Sequence, residues 1–443
     1  SQRHSRSIVY RANIAALSAS TFEALVKSGF TLIDATGDNA LNLSVAQYKV
    51  IAGTTLKLNT NDTVTLRDLA SLIEERSEAQ FKAMAANGID KIFTTDRMLS
   101  LKVTKAVVLG DKITVNSDTQ NPPGFAGPYF EILDTSDQIK TLTKAQLENL
   151  NVNGLNQLHS SDADGKMSLT AAALKALDQI KIAQGNSVTL FDEGDNISGA
   201  SGIDFSKLAS IGANKVGSTT EKVINYIDAS NASNELQLSL AQFHALVAAP
   251  NWKLTQADIV TLKDSQTELD KLTEDEILGP IVSGVRDSSK GLAARGIDHL
   301  STTADNHAFS LTLAQYDALV QTSCTLLDTD TVTVSGLTQD DFDATGKTPA
   351  WFAALKANHV DNLGIKDNDD LAISVAKYKG LGDIVLVTTG TITLTDTAAE
   401  LARSTTDLAH LRDHGIIAIK VSDGAPLKLS VAQYRDLNLH TVA

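Results

Sequence analysis

Cysteine is almost absent from this chain, which carries only Cys324 among 443 residues. A single thiol excludes an internal disulfide framework and any cysteine-rich metal site. Because Cys324 has no histidine near it in sequence, we interpret it as a small buried residue rather than a nucleophile. Such scarcity of cysteine is compatible with an exported bacterial protein and equally with a cytosolic one.

Long apolar runs are also missing, since none approaches the roughly 20 residues that span a bilayer. The N-terminal segment SQRHSRS is basic, but no apolar signal core follows it. Either a signal was removed, or it lies elsewhere, or the chain is a fragment of a longer one. No membrane insertion is therefore expected.

Positive charge is scarce, with 38 Lys and Arg against 53 Asp and Glu and a net charge of −15. Phosphate binding needs a basic stripe, so nucleic acid is excluded as an expected partner. Anionic membranes are disfavoured for the same reason. The hydrophobic fraction of 42% is ordinary for a folded protein and argues against disorder.

The sequence also lacks the common catalytic motifs, since no GxSxG elbow, P-loop, GxGxxG or HExxH occurs. His410 and His414 stand four residues apart on one expected helix and could hold a metal. A helix C-terminus favours histidine in any case, which is the simpler interpretation. No pair of carboxylates can be named as acid and base, so we predict that the chain is not an enzyme. The sequence indicates no cofactor apart from the candidate calcium site described below.

What the chain does contain is a repeated octapeptide, here called the LxLSVAQY motif. A fixed motif at intervals of this kind indicates a repeat array of about seven units. Clear copies are LNLSVAQY at 41–48, LQLSLAQF at 236–243, FSLTLAQY at 309–316, LAISVAKY at 371–378 and LKLSVAQY at 427–434, with weaker copies LSLKVTKA at 99–106 and MSLTAAAL at 167–174.

The last unit shows the pattern most clearly. TITLTD at 391–396 alternates as a strand does, and Thr397 to Glu400 resembles a capping box at the start of a helix. Gly415 is the expected helix stop, IIAIKV at 416–421 a second strand, and 431–437 a short second helix begun by Ser430. We expect the aromatic residue that closes each motif to form a core stripe.

Strands separated by helices predict parallel pairing, and hence an α/β repeat solenoid of strand–helix–strand–short-helix units. The whole chain, 1–443, is expected to be one such domain. The units are expected at 1–58, 59–109, 110–183, 184–252, 253–326, 327–386 and 387–443. A long helix is expected at 12–28. First strands are expected at 63–68, 112–116, 187–192, 258–264, 331–335 and 391–396. The strands after the helices, which are the second strands of their units, are expected at 30–34 and 88–92 and near 155–161, 223–228, 297–302, 360–365 and 416–421.

The segments TLTDTAAELA at 393–402, GIIAIKVSD at 415–423 and LKLSVAQYRDL at 427–437 resemble repeats of large bacterial exported proteins, including type I secreted, adhesin-like ones. The resemblance covers essentially the whole chain as a repeat style and matches no single protein. It implies an extracellular or cell-surface domain whose role is binding or structural. The calcium-binding GGxGxDxUx tract often attached to such proteins does not occur in this sequence.

Insertions between the two strands of a unit predict a binding face, because loops in one position of a repeat emerge on one side. The expected insertions are 121–130, 193–218 and 266–290. The first, NPPGFAGPYF, is rich in turn residues and aromatics, and we name Phe125, Tyr129 and Phe130 as a candidate binding loop for sugar or protein. The alternative is a plug that covers the edge of the solenoid.

Acidic turns recur along the chain, and DADG at 162–165 is the best candidate for a calcium site, with Asp162 and Asp164 as ligands. Calcium needs six to eight oxygens, and this turn supplies only part of that set. The simpler interpretation is that these residues cap and form turns.

Taken together, these patterns favour a surface domain for adhesion or ligand binding through its insertion loops, with a carbohydrate or a protein as partner. A self-assembling structural protein, such as an S-layer or filament subunit, is the alternative. A polysaccharide-active enzyme is the third hypothesis.

Overall fold

The structure is a computed structural model, and short parallel strands alternate with helices along most of it. It describes residues 6–9, 14–35, 39–110, 113–115, 130–177, 180–199, 202–208, 224–230, 233–249, 251–344, 348–366, 369–403, 410–436 and 441–442. The chain forms two compact units. The first comprises Ser1–Asn231 with Ala248–Lys253, and the second comprises Ala232–Val247 with Leu254–Ala443.

The described strands of the first unit form four sheets. A complete sheet holds four strands, which we call in spatial order the opening, second, third and closing strands. Sheet 1 has three: Arg6–Val9, Phe30–Asp34 and Lys57–Leu58. Sheet 2 is Ala40–Leu43, Thr63–Asp68, Lys91–Thr94 and Thr114–Val115; sheet 3 is Leu99–Leu101, Phe130–Asp134, Gln157–Ser160 and Lys181–Ile182; sheet 4 is Lys166–Leu169, Ser187–Asp192, Asn225–Ala229 and Trp252–Leu254.

The described strands of the second unit form three further sheets of the same order and one hairpin. Sheet 5 is Glu235–Leu238, Ile259–Asp264, His299–Thr302 and Thr325–Leu326; sheet 6 is Ala308–Thr312, Thr331–Leu337, Asn362–Ile365 and Val385–Val387; sheet 7 is Leu371–Ile373, Ile392–Asp396, Ala418–Val421 and Thr441–Val442. The strands pair in parallel. The hairpin Ile281–Val282 with Val285–Arg286 is antiparallel.

Within each unit the chain moves between consecutive sheets in a fixed order. The opening strand Ala40–Leu43 leads through the helix Val45–Ala52 to Lys57–Leu58, which closes sheet 1. The chain then returns to sheet 2 as its second strand, Thr63–Asp68, which pairs with the opening strand. The segment that begins with this LxLSVAQY motif therefore contributes a strand to each of two consecutive sheets.

The helices fall into two sets according to their place in this path. Motif helices begin within an LxLSVAQY motif or one of its weaker copies: Val45–Ala52, Val103–Val107, Ala171–Lys175, Leu240–Ala248, Leu313–Leu319, Val375–Leu381 and Val431–Asp436. Connecting helices run between second and third strands: Ala19–Lys27, Ala70–Glu74, Glu78–Ala86, Ser136–Ile139, Lys144–Val152, Gly194–Ser198, Gln266–Leu269, Glu274–Leu278, Gln339–Asp343, Pro349–Ala357 and Ala398–Arg403. Short 3-10 turns lie at Phe205–Lys207, Ser288–Lys290 and Ala293–Arg295.

The motif folds this way because each of its positions has a separate physical task. In the copy at 41–48, Leu41 and Leu43 alternate into the core from the opening strand. Ser44 and Gln47 then form a capping box, with the Ser44 N–H 2.6 Å from Gln47 Oε1 and the Gln47 N–H 3.3 Å from Ser44 Oγ. The buried Gln47 side chain also donates to the carbonyl of Leu17 at 2.6 Å, which ties the motif to the residues before the preceding helix.

A second recurring device is an aspartate at the last position of the second strand. Its Oδ2 accepts the N–H of the first motif-helix residue, and its Oδ1 accepts the N–H of the residue that follows it. The Oδ2 distances are 2.9 Å for Asp68 with Val45, 3.0 Å for Asp134 with Val103, 2.9 Å for Asp192 with Ala171, 2.9 Å for Asp264 with Leu240 and 3.1 Å for Asp396 with Val375. The Oδ1 distances are 2.7–2.9 Å. A first-turn helix amide has no acceptor within its own helix, so each carboxylate satisfies a donor that would otherwise lack a partner. We call these contacts the aspartate links.

The expected mixed α/β fold with parallel strands is confirmed, and the strands at 30–34, 63–68 and 187–192 lie where they were predicted. The prediction of a first strand at 112–116 was wrong. Thr114–Val115 closes sheet 2, and the second strand of sheet 3 is Phe130–Asp134. The segment 121–130 therefore precedes a second strand and does not share the position of the other two insertions.

The predicted long helix and the predicted aromatic stripe both need correction. The helix is Ala19–Lys27, because the Ser18 side chain caps it by accepting the Thr21 N–H at 3.2 Å. The stripe is buried at Tyr48, Phe243, Tyr316 and Tyr378, as predicted. In the last motif, however, Tyr434 is 68% exposed, and no described residue forms a strand ladder with Leu427–Ser430.

Candidate functional site

The predicted calcium turn is occupied by hydrogen bonds of the chain itself. Asp162 Oδ2 accepts the N–H of Ser136 at 2.8 Å, which ties the turn after the third strand of sheet 3 to the start of the connecting helix Ser136–Ile139. Asp164 is exposed, and hydrogen bonds from the backbone and the ammonium group of Lys166 hold its pKa below the usual value. Within the described ranges, no group of three or more His, Cys, Asp or Glu side chains could hold a metal ion.

Of the predicted aromatic binding loop, Phe125 and Tyr129 lie outside the described residues. Phe130 was predicted wrongly as a loop contact, since it begins the second strand of sheet 3 and is 0% exposed. Its N–H donates to the Asn156 side chain at 3.2 Å, as expected of a strand residue in this repeat. A phenylalanine that is buried in the core cannot contact a ligand.

A buried polar cluster that sequence reasoning missed lies on sheet 3. The carboxylate of Glu131 accepts from Ser100 Oγ at 2.6 Å and from Gln157 Nε2 at 3.1 Å, and lies 3.3 Å from His159 Nδ1. Ser100 and Gln157 lie in register with Glu131 on its two neighbouring strands, and His159 lies two residues after Gln157. Because Ser100 donates to the carboxylate and not to His159, this geometry does not activate the serine as a nucleophile. The cluster provides hydrogen-bond partners for a buried carboxyl group.

Each histidine of the last connection makes a contact within the chain through its Nδ1 atom. His410 is exposed and its Nδ1 lies 3.0 Å from Asp413 Oδ2, whereas His414 Nδ1 lies 2.8 Å from the carbonyl of Ile384. His414 also packs edge-on against the Tyr378 ring, with 5.5 Å between ring centroids. Both border an open depression of about 770 Å³ that Asp383 also lines.

The best candidate for a functional surface is the hairpin within the insertion of sheet 5. Ile281, Val282 and Val285 are 56%, 54% and 70% exposed, although all three are aliphatic. Ser283 and Gly284 form the turn with φ of +54° and +81°. Positive φ at both central residues is the geometry of the two-residue turn that suits a hairpin. We call Ile281–Arg286 the apolar hairpin.

The apolar hairpin is held rigidly at its base. Arg286 Nη1 donates to the carbonyl of Gly279 at 2.7 Å and lies 3.2 Å from Asp275 Oδ1. Gly279 has φ of +94°, and a Cβ there would lie 2.0 Å from the Asp287 carbonyl oxygen, so no other residue fits. Below the base, Ile277 and Leu292 are fully buried and joined by a backbone hydrogen bond of 3.1 Å. A fixed base therefore presents three apolar side chains to solvent.

Cys324 is buried, and burial raises the pKa of its thiol to about 12. A thiol with such a pKa is almost wholly protonated near neutral pH and is not a nucleophile. This agrees with the interpretation of Cys324 as a structural residue.

Comparison of the chain with protein-family models, with curated proteins and with solved structures found no match. Among the described residues, no helix combines the length and the apolar character needed to cross a membrane.

Proposed function

We propose that this chain is a non-enzymatic repeat domain of the cell surface or extracellular space that binds a protein partner through the apolar hairpin. Within each compact unit, we propose that consecutive parallel sheets stack as an α/β solenoid, from which the hairpin projects at a second-to-third-strand connection. The observation that carries the proposal is the exposure of Ile281, Val282 and Val285 on a base that is rigid and buried. Three adjacent exposed aliphatic side chains on a soluble domain favour a contact surface.

The side chains of the hairpin favour a protein over a carbohydrate. Sugar recognition uses the flat faces of aromatic rings, whereas isoleucine and valine fill apolar pockets. Around the hairpin, the insertion 266–290 carries six acidic and three basic residues. A partner with an apolar pocket bordered by basic side chains would complement this arrangement.

We favour binding over catalysis because the two side chains that could act as nucleophiles, a cysteine and a serine, are not activated. Cys324 is protonated and buried, and the serine of the Glu131 cluster donates its hydrogen bond to the carboxylate. The extracellular location rests on the resemblance of the repeats to those of exported adhesin-like proteins.

The test replaces Ile281, Val282 and Val285 together by serine and measures binding to an array of purified extracellular proteins and to a glycan array. Thermal unfolding should be nearly unchanged, because the three side chains are already exposed. Protein binding should fall at least tenfold, as for loss of a central apolar contact.

The matched control replaces three other exposed aliphatic residues, Ile259, Val387 and Ile417, by serine. This variant should retain the affinity of the unmodified chain. Equal loss in both variants, or binding to glycans alone, would contradict the proposed role of the hairpin.

A further inference from the structure

His307 holds a backbone position that asparagine or glycine holds in three other copies of the repeat. In sheets 2, 4, 5 and 6, the residue before the opening strand accepts, through its carbonyl, the N–H of the first residue of the second strand. These residues have φ between +53° and +64°, and they are Asn39, Gly165, Asn234 and His307. Positive φ is uncommon outside glycine, and asparagine or glycine serves this turn in the other three copies. The backbone of the turn therefore does not itself require a histidine.

Asp330, which stands directly before the second strand of sheet 6, also departs from its counterparts. At the same position in sheets 2 and 4, Asp62 Oδ2 accepts the N–H of Ala35 and Asn186 Oδ1 accepts that of Ser160, both at 2.8 Å. The side chain of Asp330 is 0% exposed, yet among the described residues neither of its oxygens has a hydrogen-bond partner. A buried carboxylate without such partners destabilises the folded state unless a cation compensates its charge.

These two unusual side chains face each other. His307 Nδ1 lies 3.4 Å from Asp330 Oδ1, and the two atoms are not aligned as a hydrogen bond. In a tetrahedral Zn²⁺ site, metal–nitrogen and metal–oxygen bonds of about 2.0–2.2 Å place two ligand atoms about 3.4 Å apart. The observed separation therefore suits two ligands of one metal ion.

We propose that His307 Nδ1 and Asp330 Oδ1 together bind a divalent transition-metal ion of the zinc class. Imidazole combined with carboxylate suits Zn²⁺ and its neighbours, whereas Ca²⁺ and Mg²⁺ prefer oxygen ligands. Within the described ranges no third His, Cys, Asp or Glu side chain joins these two, so water completes the coordination on the side where His307 is 54% exposed. The ion would compensate the buried charge of Asp330 and tie the turn before the opening strand to the turn before the second strand.

The other copies of the repeat supply the substitutions that test this site. Asparagine already stands at the Asp330 position in sheet 4 and at the His307 position in sheets 2 and 5, so Asp330→Asn and His307→Asn introduce residues that this backbone accommodates. His244→Asn is the matched control, because His244 is also about half exposed but makes an ordinary hydrogen bond, with its Nε2 2.6 Å from Glu276 Oε1. The inference does not depend on the proposed role of the apolar hairpin.

Isothermal titration calorimetry with Zn²⁺, on the full chain after treatment with a chelator, tests the proposal. The unmodified chain and His244→Asn should show the same dissociation constant at their tightest site. Asp330→Asn and His307→Asn should each weaken that binding at least about tenfold, because even the loss of residues that only support metal ligands costs about 10–100-fold in affinity. Equimolar Ca²⁺ or Mg²⁺ should not displace the bound Zn²⁺.

Thermal unfolding gives a second measurement, which separates a metal site from a simple ion pair between His307 and Asp330. Zn²⁺ should raise the Tm of the unmodified chain and of His244→Asn, but not that of either site variant. Without metal, Asp330→Asn should be at least as stable as the unmodified chain, because the substitution removes an uncompensated buried charge.

Three results would each overturn the proposal. The first is equal Zn²⁺ affinity in all four chains, which would indicate only adventitious binding by exposed histidines. The second is displacement of Zn²⁺ by equimolar Ca²⁺ or Mg²⁺. The third is a marked loss of metal-free stability in Asp330→Asn, which is expected if Asp330 serves as the ion-pair partner of a protonated His307.

Discussion

Replacing the aspartate link of sheet 3 should reveal how much these carboxylates stabilise the fold. Asp134 is buried, and its two oxygens accept the N–H groups of Val103 and Thr135 at 3.0 and 2.9 Å. Asp134→Ala leaves the buried Val103 N–H without an acceptor. A hydrogen bond to a charged group contributes about 1.5–3 kcal/mol, and the bond at the exposed Thr135 contributes less. The ion pair with the half-exposed Lys102 adds less than about 1 kcal/mol.

We therefore expect Asp134→Ala to lower the free energy of unfolding by about 2–4 kcal/mol. Asp134→Asn should lower the free energy of unfolding by roughly half that amount. The amide keeps one acceptor oxygen, but its NH₂ group replaces the second acceptor and faces an N–H donor. Urea denaturation of the chain and its variants, followed by circular dichroism, measures both effects. Asp137→Ala is the control, since Asp137 is exposed in the same connection. Equal stability of Asp134→Ala and the control would refute the role given to the links.

Three further perturbations follow from burial and charge. Tyr316→Ala should lower the free energy of unfolding, measured by urea denaturation, by about 3–5 kcal/mol, whereas Tyr434→Ala at the same motif position should leave it almost unchanged. Equal losses in the two variants would contradict the buried stripe. Burial raises the pKa of Asp62, aided by the charge of Asp34 and opposed by its hydrogen bond from Ala35, so its ionised form disfavours the folded state. The stability that Asp62 contributes is full below the ordinary carboxyl pKa and is lost as pH rises through the raised pKa. At neutral pH, Asp62→Asn should therefore be at least as stable as the unmodified chain. The difference in the free energy of unfolding should shrink as the pH falls and Asp62 becomes protonated. A variant that is less stable than the unmodified chain at neutral pH would contradict this expectation. The Cys324 thiol should react with a thiol reagent only after unfolding, and rapid labelling of the native chain would contradict its burial.

The local structure of the repeat was predictable because its signals are local. The paired leucines, the capping serine and the glutamine three residues later lie within eight residues and specify strand, cap and helix start. Sequence reasoning also placed Thr63–Asp68 and Ser187–Asp192, where β-branched residues alternate before an aspartate.

Long-range partners were not predictable in the same way. Asp68 and Asp134 accept from amides 23 and 31 residues earlier in the chain, and no local pattern specifies partners at that separation. Closing strands such as Lys57–Leu58 and Thr114–Val115 have two residues each, too few for an alternating pattern. This is why 112–116 was assigned to the wrong strand and 121–130 to the wrong connection.

The candidate site was predicted only as a region. The insertion 266–290 was expected to contribute to a binding face, but the aromatic residues of 121–130 received more weight. The two-residue Ser283-Gly284 turn between aliphatic pairs is a recognisable hairpin signal that could have identified the apolar hairpin. Its exposure depends on the buried base around Ile277 and Leu292, which no local pattern specifies.

Residue-resolved hydrogen exchange by mass spectrometry measures directly whether the aspartate links protect the amides that they bind. The first amide of a helix has no acceptor within its own helix and normally exchanges fast. We expect slow exchange at the linked amides and fast exchange at Val431, where no described aspartate serves as acceptor. The linked amides are those of Val45, Val103, Ala171, Leu240 and Val375. Equally fast exchange at all six positions would contradict the aspartate links and the strand pairing that places them.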